Sequence, residues 1–240
     1  VADFIGENNI IDGIMKRDYL VSFGGVDFPC IDKEFGENTA VDVVVRPEDI
    51  ELGPAAAGKL NGIVKSIGFK GVHFEITVNV GGYLWLIHNT KPQEIGAQVS
   101  LTIAPENIQI MCRMFPALTN LIDVTSEGCG DGQEPYTLIT VEGAEHRLPG
   151  VNHEEGTRLR LSIQPTAVQV TPEHQGDVDG YLETVIWKGY YNEMIVETDR
   201  RKWLVNCSQD EQVSTMVGLT FHLDDPAQCS VEVLRESEEA

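Results

Sequence analysis

Several features that would place the chain in a common class are missing from its sequence. No apolar run approaches the roughly 20 residues needed to cross a bilayer, and the N-terminus has neither the basic region nor the apolar core of a signal peptide. The cysteines are scattered, odd in number and without a CxxC pair: Cys30, Cys112, Cys129, Cys207 and Cys229. This usage predicts free thiols in a reducing cytosol rather than a disulfide framework. Because the chain begins with Val1 rather than Met, we expect it to be a piece of a longer protein.

Positive charge is also scarce. The 240 residues include 17 lysines and arginines against 38 acidic residues, which gives a net charge of −21. Residues 1–112 hold 15 acidic and 8 basic residues, and residues 113–240 hold 23 and 9. Such a surface repels a phosphate backbone, so we expect no nucleic-acid partner. It attracts cationic ligands, although an acidic surface often serves solubility alone.

Helical periodicity is absent over any window longer than about three turns. Apolar and polar residues instead alternate from His73 to Val80, which is the pattern of a half-buried strand. The turn "NVGG" follows at Asn79–Gly82, and "YLWLIH" then gives a second strand, so the pair predicts a hairpin. Short strands separated by glycine and proline predict an all-β fold of small closed barrels of the OB type, with five or six strands in each.

The chain repeats itself at an offset of 118 residues. Between positions 58–102 and their counterparts, eleven residues are identical where average composition gives roughly three. The matches include Trp85 opposite Trp203 and Glu75 opposite Glu193. A repeat at so long an offset indicates a duplicated unit rather than a local pattern.

Further upstream the offset changes. The stretch "NNIIDG" resembles "TNLIDV" at an offset of 111, which implies a seven-residue insertion in the second copy. We assign the insertion to "CGDGQEP", residues 129–135. The sequence therefore predicts two tandem copies, 1–112 and 113–240.

Proline marks a repeated corner between strands. "VRPEDIEL" (Val45–Leu52) and "IAPENIQI" (Ile103–Ile110) share an apolar residue, Pro, Glu and an Ile-containing alternation. Proline opens a short helical turn and acidic residues suit its first turn. Each stretch therefore predicts a strand, a one-turn corner and another strand.

Three stretches of the first copy carry a family resemblance: "VADFIGENNIIDG", "VVRPEDIEL", and "GIVKSIGFKGVHFEITV" with the strands that follow it. Together they resemble the C-terminal regulatory region of ABC importer ATPase subunits of the spermidine/putrescine class. In that family the "VRPE" corner belongs to an OB-like barrel called TOBE, so the resemblance implies tandem OB-like (TOBE/MOP-like) β-barrels. It covers residues 1–112. The second copy has "IQPTAVQV" and "FPALTN" at the matching places, so its function is left open. We expect it to have the same fold, because the strand pattern and the tryptophan are kept.

The resemblance implies a non-catalytic regulatory and dimerisation region. ATP hydrolysis in that family needs a GxxxxGK[ST] phosphate loop, an LSGGQ signature and a Walker B carboxylate, and the sequence has none of them. We therefore expect no catalytic residue, metal or cofactor here, with ATP and Mg²⁺ bound by an ATPase domain N-terminal to this chain. The implied partners are that domain, a second copy of the subunit and the transporter's membrane subunits. The implied location is cytoplasmic, at the inner face of the cell membrane.

Two carboxylates are candidates for ligand binding. Glu75 and Glu193 lie on the polar faces of equivalent predicted strands, where they would bind a cation at a barrel mouth. The alternative is that they form surface ion pairs with the neighbouring Lys70 and Lys188.

The other candidates are aromatic. Trp85 and Trp203 either stack against a ligand or pack in the barrel cores. His146 and His153 have no standard metal-ligand spacing, so we expect solvated loop residues there. The basic stretch "DRRKW" (Asp199–Trp203) is predicted to be a hairpin tip.

Two other classes of function are compatible with duplicated barrels. One is a free-standing small-ligand binder of the oxyanion type, and the other is an OB protein that binds single-stranded nucleic acid. The charge of −21 and the lack of a basic anion-binding motif argue against both.

Overall fold

The computed structural model describes residues 8–113, 119–130, 135–208 and 216–234. Within these ranges the chain forms twenty-one β-strands, three single-turn 3₁₀ helices and no α-helix. None of the helices in this part of the chain has the length and apolarity that a membrane crossing requires. Three stretches used in the sequence analysis fall partly outside the described residues: the start of "VADFIGENN", the residues "FPAL", and "DGQE" of the proposed insertion.

The first compact unit contains two five-stranded antiparallel sheets. One has the strand order β10-β4-β1-β2-β3 and the other the order β5-β9-β6-β7-β8. The strands are β1 (Asn9–Arg17), β2 (Leu20–Phe23), β3 (Val26–Pro29), β4 (Thr39–Val45), β5 (Ile50–Pro54), β6 (Leu60–Phe69), β7 (Phe74–Val80), β8 (Tyr83–Asn89), β9 (Gln98–Ile103) and β10 (Gln109–Cys112).

The second compact unit contains one five-stranded sheet and two three-stranded sheets. Their strand orders are β16-β20-β17-β18-β19, β11-β15-β21 and β12-β13-β14. The strands are β11 (Asn120–Thr125), β12 (Gly128–Gly130), β13 (Tyr136–Val141), β14 (Ala144–Pro149), β15 (Arg158–Ile163), β16 (Val168–Thr171), β17 (Val178–Trp187), β18 (Asn192–Glu197), β19 (Lys202–Cys207), β20 (Met216–Phe221) and β21 (Cys229–Val233).

The two units repeat one topology. The order β5-β9-β6-β7-β8 recurs as β16-β20-β17-β18-β19. Trp85 pairs with Val78 across β7 and β8, and Trp203 pairs with Val196 across β18 and β19, so the two tryptophans occupy equivalent positions. The all-β class and the tandem OB-like barrels are confirmed.

The predicted number of strands is wrong. The first unit alone has ten strands, because the meander β1-β2-β3 forms a second sheet together with β4 and β10. The charged run at residues 16–18 interrupts the apolar alternation where β1 turns into β2, so the sequence pattern hides these strands.

The predicted corners are confirmed. Each is a single 3₁₀ turn, and the three turns are Pro47–Asp49, Pro105–Asn107 and Pro165–Ala167. In each case the preceding residue is extended and proline occupies the first turn, where its fixed φ and missing N–H cost nothing.

The predicted hairpin after β7 is also present. Gly81 and Gly82 form its two-residue turn with φ of 60° and 102°, values that favour glycine, and the Asn79 side chain accepts the Gly82 N–H at 3.1 Å. The basic stretch forms the equivalent turn between β18 and β19, closed by a 2.9 Å bond from the Thr198 N–H to the Arg201 carbonyl.

Each of the two compact units is built from two separate segments of the chain. The first unit comprises Val1–Pro116 and the short segment Ile186–Tyr191, while the second comprises Ala117–Val185 and Asn192–Ala240. The sequence does not indicate that Ile186–Tyr191 belongs with the first unit. The boundary between residues 112 and 113 stays a prediction.

A buried asparagine joins the two sheets within each unit. Asn9, on β1, accepts a hydrogen bond from the Leu86 N–H at 2.7 Å and donates to the Leu86 carbonyl at 2.8 Å and the Val45 carbonyl at 3.2 Å. Asn120, on β11, exchanges the same two bonds with Leu204, both at 2.8 Å. Around these contacts each unit packs its own apolar core, which contains Trp85 in the first unit and Trp203 in the second.

Candidate functional site

Two aspartates face each other in the first unit. Asp12 on β1 lies directly opposite Asp42 on β4 in the antiparallel ladder. Like charges at opposed positions destabilise a sheet, so the pair needs cations beside it. Arg113 supplies one: its Nη1 lies 2.9 Å from Asp12 Oδ1 and its Nε lies 3.9 Å from Asp42 Oδ1, with the side chain almost fully buried.

The segment Ile186–Tyr191 supplies the second cation. The Lys188 Nζ lies 2.5 Å from Asp42 Oδ1 and 3.1 Å from Asp12 Oδ1, and its side chain is only 1% exposed. The Tyr191 hydroxyl donates to Asp12 Oδ2 at 2.8 Å. Burial raises the pKa of Asp12, but the opposing effects of Lys188, Arg113 and the Tyr191 hydrogen bond are larger together and hold that pKa below its usual value.

A backbone bond and an aromatic ring complete the contact. The Leu84 N–H donates to the Gly189 carbonyl at 3.0 Å, so the segment pairs with the outer strand β8 of its sheet. Gly189 has φ +81°, and a Cβ built there would lie 2.3 Å from the Tyr83 ring. Only glycine therefore allows this turn to lie against Tyr83.

We call the set Asp12, Asp42, Tyr83 and Leu84 the acceptor. A cavity of about 270 Å³ lies beside it, and eight residues line it: Ile11, Asp12, Gly24, Val80, Gly81, Tyr83, Trp85 and Tyr190. The Tyr83 hydroxyl donates to the Ile10 carbonyl at 3.0 Å, and burial raises the pKa of Tyr83. The cavity thus combines a carboxylate with aromatic walls, which is a surface suited to an organic cation.

The equivalent place in the second unit carries different charges. Its cavity, of about 240 Å³, is bordered by Asp123, Glu142 and Arg201 among others. Arg160 stands opposite Asp123, where the first unit has Asp42, and binds both carboxylate oxygens at 2.7 and 2.9 Å. The hydrogen bond from Arg160 lowers the pKa of Asp123. This cavity therefore has no counterpart of the acceptor's paired carboxylates.

Glu142 also changes the second cavity. It occupies the position of Gly24, and its Oε1 accepts the Trp203 indole N–H at 3.1 Å. Arg201, at the position of Tyr83, places its Nε 3.5 Å from the same carboxylate and stacks 5.6 Å from the Trp203 ring centroid. The charged groups of this second cavity are therefore paired with one another.

The four residues predicted as ligand-binding occupy dissimilar surroundings. Glu75 lies at the surface with its Oε2 3.5 Å from the Lys70 Nζ, which is the ion pair foreseen as the alternative. Glu193 is buried, so it does not lie at the surface as the alternative supposed, and Lys188 contacts the two aspartates. Trp85 and Trp203 are core residues, and Trp85 also borders the first cavity. Ligand binding by these four residues stays a prediction.

One of the two histidines predicted to be solvated is largely buried. His146 is largely buried with its Nε2 3.8 Å from Asp177 Oδ2, and burial lowers its pKa although Asp177 opposes the change. The loop interpretation is therefore wrong for His146, which lies on β14. Among the described residues, no group of three or more His, Cys, Asp or Glu side chains is arranged to hold a metal ion.

Sequence reasoning missed the acceptor itself. Asp12 and Asp42 come together through the β1–β4 ladder, and Lys188 reaches them from 146 residues beyond Asp42. A signal was nevertheless present in the repeat, because Asp42 aligns with Arg160 and Tyr83 with Arg201. Positions that change charge between copies of one fold are candidates for a function that only one copy retains.

The match to known families agrees with this fold. Residues 43–111 match the TOBE domain, so the first unit contains a TOBE domain. Relatives named spermidine/putrescine import ATP-binding protein PotA align with the chain. The one from Bacteroides thetaiotaomicron is 37% identical over 207 residues, which is 83% of this chain and 42% of the relative. The one from Clostridioides difficile is 52% identical over 111 residues, or 46% of this chain and 32% of the relative.

The lengths of these alignments show how much of the chain each relative shares. The chain spans less than half the length of either relative. An alignment over 83% of the chain necessarily includes part of the second unit, so the Bacteroides relative shares sequence with both copies. The alignment of 111 residues is about as long as one copy.

Proposed function

We propose that the chain is the C-terminal regulatory region of the ATP-binding subunit of an ABC importer for polyamines such as spermidine and putrescine. The observation that carries the proposal is the TOBE domain at residues 43–111, together with import ATP-binding relatives that align through it. In this role the chain itself does no chemistry. It holds the subunit in its assembly, while ATP and Mg²⁺ bind to a preceding ATPase domain.

The partners follow from that role. They are the ATPase domain, a second copy of the subunit and the membrane subunits of the transporter, at the cytoplasmic face of the cell membrane. The absence of a phosphate loop from the sequence supports a non-catalytic region. The net charge of −21 supports protein and cationic partners over nucleic acid.

A chimera tests the proposal. The chain replaces the matched 111-residue part of the Clostridioides difficile relative, in cells that contain that importer's membrane subunits but no other spermidine importer. We expect the chimera to restore spermidine uptake well above that of a truncated subunit without any C-terminal region. A chimera that accumulates and associates with the membrane normally, yet takes up no more spermidine than the truncated subunit, would overturn the proposal.

Two measurements on the purified chain separate the other classes of function. Phosphate release from ATP with Mg²⁺ should stay at background, and turnover comparable with importer ATPases would contradict a non-catalytic role. Calorimetry with molybdate should show no binding. Tight molybdate binding would favour the free-standing oxyanion binder.

A further inference from the structure

Two histidines of the first unit lie against each other on the hairpin formed by β7 and β8. The rings of His73 and His88 have centroids 4.1 Å apart and planes inclined by 33°. His73 stands immediately before β7, and His88 lies on β8. They are 15 residues apart in the sequence, so no local ligand spacing indicates the pair, and only the hairpin brings the two imidazoles together.

A glutamate shares the face that carries these rings. Glu75 stands directly opposite His88 in the β7–β8 ladder, and His73, two residues before Glu75, points to the same side of the strand. The neighbouring pair Ile76 and Ile87 points to the other side and is fully buried in the core. The two imidazoles and the carboxylate therefore converge on the outer face of the hairpin.

A second carboxylate approaches His88 from the first proline corner. The Oε2 of Glu48 lies 3.9 Å from the Nδ1 of His88, whose side chain is 16% exposed. A carboxylate beside one ring nitrogen favours the proton on that nitrogen and leaves the lone pair on the other, which is the usual setting of a metal-binding histidine. Within the residues that the structure describes, the ring nitrogens of His73 and His88 form no hydrogen bond.

This arrangement provides two nitrogen ligands and one oxygen ligand in reserve. Imidazole nitrogens suit zinc, nickel and copper, and zinc accepts water at positions that the protein leaves open. The Glu75 carboxylate is turned towards Lys70, with Oε2 and Nζ 3.5 Å apart, so the cluster does not present three ligands at once. That ion pair is solvent-exposed, with side chains 56% and 36% exposed, and little stability is lost when a metal ion displaces the ammonium group.

The second unit lacks both imidazoles. At the repeat offset of 118 residues, Tyr191 takes the place of His73 and Asn206 takes the place of His88, although Glu193 matches Glu75. The fold therefore does not require the histidines at these positions. The substitutions also show which residues the same strands accept in their place.

We propose that His73 and His88 bind one divalent transition-metal ion of the zinc, nickel and copper group, with Glu75 as the third protein ligand. The ion links the start of β7 to β8 and so stabilises the first unit. The site replaces, at this one place, the sequence-based expectation that the chain holds no metal. It does not depend on which solute a transporter carries.

Calorimetry on the purified chain, free of any histidine tag, measures the binding. We expect one zinc site per chain, and an affinity for copper(II) above that for nickel and zinc, as for nitrogen ligands in general. Magnesium and calcium prefer oxygen ligands, so they should bind at least a hundredfold more weakly and should not displace zinc. If magnesium displaces zinc at comparable concentration, the acidic surface rather than the imidazole pair binds the metal and the proposal is overturned.

The residues of the second unit supply the matched variants. His73→Tyr and His88→Asn should each weaken zinc binding at least tenfold, and Glu75→Gln should weaken it severalfold. His174→Asn is the control, because His174 also lies beside a carboxylate, that of Asp179, but has no second imidazole in contact. It should leave the affinity unchanged. Near-UV circular dichroism checks that each variant is folded.

The outcomes separate the parts of the proposal. Unchanged zinc affinity in folded His73→Tyr or His88→Asn overturns it, as does a loss of binding in His174→Asn. Unchanged affinity in Glu75→Gln removes that carboxylate from the ligand set.

Stability gives an independent readout. Zinc at about 100 times its dissociation constant should raise the urea midpoint of the first unit by more than about 1 M. Hydrogen exchange should slow in β7 and β8 and stay unchanged in the second unit. The absence of any zinc-dependent protection in β7 and β8 would also overturn the proposal. Uptake by the chimera is a separate measurement, so either idea can fail alone.

Discussion

Removal of the buried asparagine from one unit should destabilise that unit alone. Asn9 makes three hydrogen bonds to backbone groups of β4 and β8, at 2.7, 2.8 and 3.2 Å, and is only 3% exposed. In Asn9→Ala the N–H and carbonyl of Leu86 lose these partners. Each lost bond costs about 1 kcal/mol net, and groups left buried without partners cost more, so we expect a loss of about 2–4 kcal/mol. With a urea m-value of about 1.5 kcal/mol/M, a loss of 3 kcal/mol lowers the midpoint by about 2 M.

The assay combines urea unfolding with hydrogen exchange measured for each unit. Asn9→Ala should speed exchange at the Leu86 amide and lower protection across the first unit. Asn120→Ala should do the same at Leu204 in the second unit, so each variant is a control for the other. Asn9→Asp tests whether the effect is chemical, because aspartate matches the size of asparagine but cannot donate to the two carbonyls. We expect it to be at least as damaging as alanine. A loss below about 1 kcal/mol in Asn9→Ala, or full stability in Asn9→Asp, would refute the reasoning.

Three further predictions concern single positions. Gly62→Ala should destabilise the first unit by about 1–3 kcal/mol in urea unfolding, because its Cβ would lie 2.5 Å from the Asn79 carbonyl oxygen. Gly68→Ala is the matched control: its Cβ would meet nothing within 4 Å, so its free energy of unfolding should change by no more than about 0.5 kcal/mol. Burial lowers the pKa of His146, so its neutral form stabilises the fold above the ordinary pKa of about 6.5. That stability is lost as pH falls from there through the lowered folded pKa; His146→Gln should flatten the stability–pH curve in this window, and an unchanged curve would contradict the assignment. Spermidine, measured by calorimetry, should bind weakly with an affinity that falls as salt rises, since exposed charges are screened over about 10 Å at 0.1 M salt; tight, salt-resistant binding that is lost in Glu75→Gln would show a dedicated site instead.

Local patterns in the sequence predicted the parts of the fold that local forces determine. The alternation from His73 to Val80 and the glycine pair that follows specify a strand and a tight turn within ten residues, and the structure has both. The proline corners follow from a fixed backbone angle. The number of strands was not predictable in this way, because the pairing of β10 with β4 joins residues more than 60 positions apart.

The candidate site was hidden for the same reason. Lys70 and Lys188 each precede a glycine, and proximity in sequence favours a pair with the glutamate five residues later, Glu75 or Glu193. That interpretation is right for Lys70. Lys188 contacts the two aspartates of β1 and β4, and two buried carboxylates stabilise an ammonium group more than one carboxylate does. Only the tertiary structure brings those carboxylates within reach.

The duplication explains how such a site arises from one repeated sequence. Both copies keep the residues that the fold needs, such as the tryptophan in the core and the asparagine between the sheets. They differ where the first unit has Asp42 and the second has Arg160, so Asp12 faces a second carboxylate while Asp123 faces an arginine that pairs with it. The lysines of the two equivalent turns also differ, because the Lys188 side chain is 1% exposed and contacts Asp12 and Asp42, while the Lys70 side chain is 56% exposed. The difference between the copies at this position therefore follows from charge rather than from a change of fold.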